Sequence, residues 1–187
     1  MPAKASKRLV IDADVLLSAG GENATHSRAI SCRDFLTSVL KVCHKVVTTS
    51  EMTAEWKKKS TKKEKGRRLQ AFASKWLRSM NARKKRIFLT PTQNASLRNR
   101  VKKSASKERD LEALLNDIHL IEAALGADGI LISFDEEARR LFQKAAVTVG
   151  ELRDITWVNP ENEEEKSIQW LDAGAPKDDV RLLGHSP

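Results

Sequence analysis

Two short runs of this chain, "RLVI" at 8–11 and "GILISF" at 129–134, are apolar at nearly every position instead of every second one. A strand with one wet face alternates, so unbroken apolar character marks strands covered on both faces, as in a parallel sheet between helices. Helical stripes separate these runs. In "NATHSRAISCRDFLTSVLKVCHK", Cys32, Phe35, Leu36, Val39, Leu40 and Cys43 share one face, and the β-branched "KVVTT" follows as a second strand. Strand, helix, strand in this order reads as a βαβ unit. The pattern recurs around "SKERDLEALLNDIHLIEAALGAD", striped by Leu111, Leu114, Leu115, Ile118, Ile121 and Leu125, with Gly126 suited to the position just past its end. Ala138, Leu141, Phe142 and Ala145 make a further stripe, and "DITWVNP" a last strand. Ser50 is placed to cap a helix through "EMTAEWKKK". "RIFLT" at 86–90 reads either as a short strand or as an apolar anchor between helices.

Several acids stand where such a sheet would finish its strands. Ligands gather beyond the carboxyl ends of parallel strands, at the point where the strand order reverses. Asp12 and Asp135 each follow an apolar strand; Asp117 borders the stripe of its helix, and Glu55 lies one turn beyond Glu51 after the "VVTT" strand. Each has a plainer role when taken singly. Asp135 precedes "EEARRLF" and would cap that helix, Asp117 would be a surface carboxylate, and Glu51 and Glu55 would answer a helix dipole. Asp12 is harder to reduce, because a carboxylate ending a buried strand needs a partner. Four carboxylates converging on one rim need cations, and oxygen ligands suit Mg²⁺ or Mn²⁺.

In order and context these acids resemble the PIN domain family of metal-dependent nucleases. The first strand ends in Asp12 within "LVIDAD", Glu55 follows the second strand in "TTSEMTAEW", Asp117 lines a helix in "LNDIHLIEAAL", and Asp135 closes "ILISFD" with Ser133 as a supporting hydroxyl. The resemblance covers about residues 8–158. It implies an α/β fold, a three-layer α/β/α sandwich with a mainly parallel sheet, and hydrolysis of RNA by carboxylate-held Mg²⁺ or Mn²⁺. Asp12, Glu55, Asp117 and Asp135 are then both catalytic and metal-holding. The family often has a hydroxyl residue and then Asn where this chain has Ala13 and Asp14, so Asp14 is a further candidate ligand. Many small PIN proteins are toxins, which makes an antitoxin or other regulatory protein, and a second copy of the chain, candidate partners. No histidine base is required: His119 is expected to be structural or exposed, and His26, His44 and His185 lack ligand spacing.

Charge adds a partner class. The whole chain carries +9, yet residues 57–109 alone hold 20 Lys or Arg against Glu64 and Glu108, leaving the remainder net acidic. A basic block of this kind meets a polyanion. Lys57, Lys58, Lys59, Lys62, Lys63, Arg67, Arg68, Arg83, Lys84, Lys85 and Arg86 are the candidate RNA contacts, in what reads as a basic helical insertion or arm. Within it "RRLQAFASKWLRSM" is a clean helical stripe, and "RNRVKKSASKER" a helix with cations round much of its surface. Trp76 belongs to the stripe and Trp56 adjoins Glu55, so neither is a clear stacking platform.

Residues 1–160 read as the nuclease-like domain and 161–187 as an acidic tail, docked through Trp170, Leu171 and Leu182. Cys32 and Cys43 are expected on one buried helical stripe, about 16 Å apart and unable to pair. With neither a long apolar span nor a signal-like start, no membrane association and a cytoplasmic location are expected. Two rival functions remain. "DADVL" also resembles the first motif of haloacid dehalogenase phosphatases, with Asp12 as nucleophile and Asp14 as acid/base, and a PIN-like module with an incomplete metal site would bind RNA without cutting it.

Overall fold

A computed structural model describes residues 5–20, 25–61, 71–90 and 93–185. Lys62, Lys63, Arg67 and Arg68 lie outside the described residues, as do the side chains of Lys58 and Lys59.

Five strands form one all-parallel sheet: β1 (Arg8–Ile11), β2 (Lys45–Thr48), β3 (Arg86–Phe88), β4 (Ile130–Ile132) and β5 (Thr156–Val158), in the order β3-β2-β1-β4-β5. Leu9, Val10 and Ile11 are fully buried, as unbroken apolar character requires, and they register against Val46 and Val47 on one side and Ile130, Leu131 and Ile132 on the other. "RIFLT" resolves as an edge strand, with Val47 opposite Ile87. The chain fills one side of β1 with β2 and β3 and then crosses to β4 and β5. Strand order therefore reverses between β1 and β4, whose ends carry Asp12 and Asp135.

Eight helices accompany the sheet among the described residues: α1 (Ala13–Ser18), α2 (Ser27–Lys41), α3 (Ser50–Thr61), α4 (Ala71–Ala82), α5 (Ala95–Ser104), α6 (Glu108–Leu125), α7 (Glu136–Ala146) and α8 (Ser167–Asp172). One group packs α2 with α4 and α8, and another packs α5, α6 and α7 together, consistent with three α/β/α layers. The basic stretch contributes α4 and β3 to this body, with Ala73, Trp76 and Met80 buried.

Local expectations shift in four places. Thr49, not Ser50, caps α3, its Oγ1 accepting from Met52 N at 3.2 Å while Ser50 is already helical. "RNRVKKSASKER" is not one helix: α5 stops at Ser104, whose hydroxyl donates to the Val101 carbonyl at 2.7 Å, and extended Ala105 separates it from α6. Gly126 has an ordinary helical φ of −75°, and the left-handed glycine of this connection is Gly129, at φ +70° just before β4. Cys43 is exposed while Cys32 is buried, because α2 ends at Lys41 and extended Val42 carries Cys43 off the stripe.

The last segment packs on the body. Trp170, Leu171 and Leu183 are buried; Leu182 keeps a half-buried side chain but forms a backbone bridge with Thr156. His44, fully buried, ties this segment to β1. Its Nδ1 accepts from Lys7 N at 3.0 Å, and its Nε2 faces the Leu171 carbonyl at 3.3 Å, so the proton sits on Nε2. Among the described residues, no helix is long and apolar enough to cross a membrane.

Candidate active site

The β1 ladder runs straight into Asp12, whose N–H donates to the Ile132 carbonyl at 2.9 Å. Asp12 then caps α1 and is only 8% exposed, so both carboxylate oxygens need donors. Asp14 N reaches Oδ1 at 3.2 Å, and the buried Ser133 hydroxyl donates to Oδ2 at 2.7 Å. Ser133 Oγ also accepts from Asp135 N at 3.2 Å. One hydroxyl thus couples the ends of β1 and β4, which is what the "ILISFD" motif supplies.

Asp135 fulfils its plain role as well: its Oδ1 accepts from Ala138 N at 2.8 Å, capping α7. It nevertheless borders an open cleft of about 760 Å³, lined also by Glu51, Glu55, Arg98, Asp117 and His119. Burial pushes the Asp117 carboxyl up to about 7, and the charges of Asp12, Asp135 and Glu55 add to the rise against an opposing contribution from His119. The other three acids expected at the site therefore act on one half-buried carboxylate, Asp117. Asp14 is not among those neighbours, and its charge reaches Arg28 instead. As these side chains stand, no three acids, histidines or cysteines among the described residues close on a single ion position. The donor chemistry fits a hard divalent cation: oxygen ligands, surplus negative charge, and a carboxyl whose pKa burial and then its acidic neighbours raise.

His119, expected to be structural or exposed, is half-buried and shares the cleft with Asp117, because the cleft takes in Ala113, Asn116, Asp117 and His119 round α6. Its Nδ1 donates to the Asn116 carbonyl at 2.9 Å, and Nε2 is 3.5 Å from Glu55 Oε2. Burial alone would push the imidazole down; hydrogen bonding and attraction to Glu55 outweigh it and raise the pKa. The residue was hidden in the sequence because its partner comes from α3, packed beside α6. Arg98 stands on the same wall with its charge answered by Glu122, through Nε at 2.9 Å and Nη2 at 2.7 Å. Gln93 donates to Glu51 Oε1 at 2.9 Å.

The candidate RNA-contacting cations are less uniform. Lys57 and Lys84 are exposed. Lys85 donates to the carbonyls of Leu40 (2.9 Å) and Val42, and Arg83 reaches Leu40 at 3.3 Å, so these two close the end of α2. Arg86 donates to Thr48 Oγ1 at 3.1 Å across the sheet edge. Trp56 and Trp76 are buried and offer no stacking surface.

No protein-family model matches the chain, and no curated protein matches it in sequence.

Proposed function

We propose that this chain is a PIN-like, metal-dependent endoribonuclease in which Asp12, Glu55, Asp117 and Asp135 hold Mg²⁺ or Mn²⁺. The observation that carries the reading is that Glu55, Asp117 and Asp135, from α3, α6 and the segment after β4, border one cleft where the strand order reverses, while buried Asp12 at the end of β1 acts by its charge on Asp117. The resemblance in acid order and in the Ser133 motif supports it independently.

A divalent cation bound there supplies polarisation of a phosphoryl oxygen and a more acidic water. The chain's own residues do the rest. Ser133 and the Asp14 amide fix Asp12, Asp135 is held by the α7 terminus, and His119 faces Glu55 across the cleft wall. Exposed cations of the basic segment, Lys57 and Lys84 among those described, attract the polyanion without reading its sequence. In this reading the biological role is the toxin of a toxin and antitoxin pair, the antitoxin being the protein partner.

The phosphatase reading needs Asp14 beside the reacting phosphate and a lysine close by. Asp14 acts on Arg28 instead, and the cation on the cleft wall is Arg98, committed to Glu122. The test is incubation of a mixed RNA pool with purified protein and Mg²⁺ or Mn²⁺, alongside Asp12→Asn and a chelator control. Cleavage should vanish in both controls; cleavage that survives both sinks the mechanism.

A further inference from the structure

One arginine near the strand ends is braced without being used up. Arg28, in the first turn of α2, lies with its guanidinium 4.6 Å from the centre of the Phe134 ring. Its Nε donates to both oxygens of Glu161, at 3.0 and 2.9 Å. Phe134 stands between Ser133, which holds Asp12, and Asp135; Glu161 lies just beyond β5. The side chain is therefore pinned across the carboxyl ends of β4 and β5, the edge where parallel sheets receive ligands.

Its neighbours make the contrast. Arg98 gives two bonds to Glu122 and Arg139 gives its Nη1 to Glu165, and their side chains are 24% and 11% exposed. Arg28 is 52% exposed; its hydrogen bonds to described residues run through Nε, its face meets Phe134, and Asp14 adds the weakest of the charge effects on it, so neither terminal amino group is hydrogen-bonded to a described residue and both can take another partner. An ion pair this exposed does little for stability. What the arrangement does provide is a planar fork of fixed orientation, suited to two phosphate oxygens and already relieved of much of its rotamer entropy.

We propose that Arg28, braced by Phe134 and Glu161, is a binding subsite for a backbone phosphate of a single-stranded nucleic acid, flanking the Asp12 and Asp135 centre. The subsite rests on the nuclease reading, since it places the strand across the same rim. Glu161 sets the orientation and also competes with the phosphate for charge.

The test uses the full chain with a chelator present, so that no cutting occurs, and a fluorescein-labelled mixed-sequence single-stranded oligoribonucleotide followed by anisotropy over a salt series. Arg28→Gln should bind roughly five- to tenfold more weakly at low salt and lower the log–log salt slope by about 0.7. Arg28→Lys should keep the slope and recover part of the affinity. Glu161→Gln should bind at least as tightly as the wild type, an outcome that a purely structural ion pair would not give. Thermal melting of each variant verifies that it is folded. Unchanged affinity and slope in Arg28→Gln overturn the subsite while leaving nuclease activity standing if the wild type cleaves RNA. A wild type that does not bind the oligoribonucleotide overturns both readings.

Discussion

Replacing Asp117 by asparagine should stabilise the metal-free protein while destroying its function. The carboxyl is pushed up from the ordinary 3.8 to about 7 by burial and by the charges of Asp12, Asp135 and Glu55. An acid held above its unfolded value binds its proton more tightly in the fold than in the open chain, so its ionisation works against folding. The wild type is least burdened below about pH 4 and loses stability as pH rises toward 7. At about 1.4 kcal/mol per tenfold change in proton affinity, the ionised site costs about 4 kcal/mol at most. Asparagine carries no such cost. Urea unfolding of both proteins in chelator, from pH 4 to 8, should show the variant drawing ahead as pH rises. The gap at pH 8 should approach that ceiling, which in a domain of this size is about 10 °C in Tm. A pH-independent gap, or a variant less stable at pH 8, would refute the idea that burial and acidic neighbours disfavour the ionised Asp117.

Three further outcomes follow from individual contacts. Ser133→Ala removes the 2.7 Å donor to a buried carboxylate oxygen and should cost about 2 kcal/mol in chemical denaturation; a loss below about 0.5 kcal/mol would mean that Asp12 finds another donor. Burial pushes the Cys32 thiol up to about 12, whereas Cys43 is exposed, so a disulfide-exchange reagent should titrate one thiol in the folded protein and both after denaturation. Trp170 is buried, donates from Nε1 to the Pro176 carbonyl at 2.8 Å and belongs to the helix packed on α2. Trp170→Ala should therefore cost about 3–5 kcal/mol by thermal melting, and a near-neutral effect would show the last segment to be dispensable.

Features carried by local pattern were legible in advance. Unbroken apolar runs marked β1 and β4 because both faces of those strands are covered, and Asp12 and Asp135 stood out because they end such strands. Asp117 was visible from its position at the border of a helical stripe, and Glu55 from its place after β2. What the pattern could not show was pairing between distant segments. His119 joins the site only because α3 packs beside α6, and Arg28 meets Phe134 only because α2 begins near the end of β4. Helix ends were the other weak point: Cys43 sat on the apparent stripe of α2, but three carbonyl contacts from Arg83 and Lys85 close that helix before reaching it. Among the lysines and arginines counted as RNA contacts by composition, Arg83, Lys85 and Arg86 thus also stitch the fold.

The central claim is that four carboxylates act as one cation-dependent centre, and calorimetric titration of Mn²⁺ tests it most directly. Wild-type protein should bind Mn²⁺ saturably, and Asp12→Asn, Glu55→Gln, Asp117→Asn and Asp135→Asn should each weaken that binding at least tenfold while remaining folded. Absence of saturable binding in the wild type, or unchanged affinity in all four variants, would contradict the account.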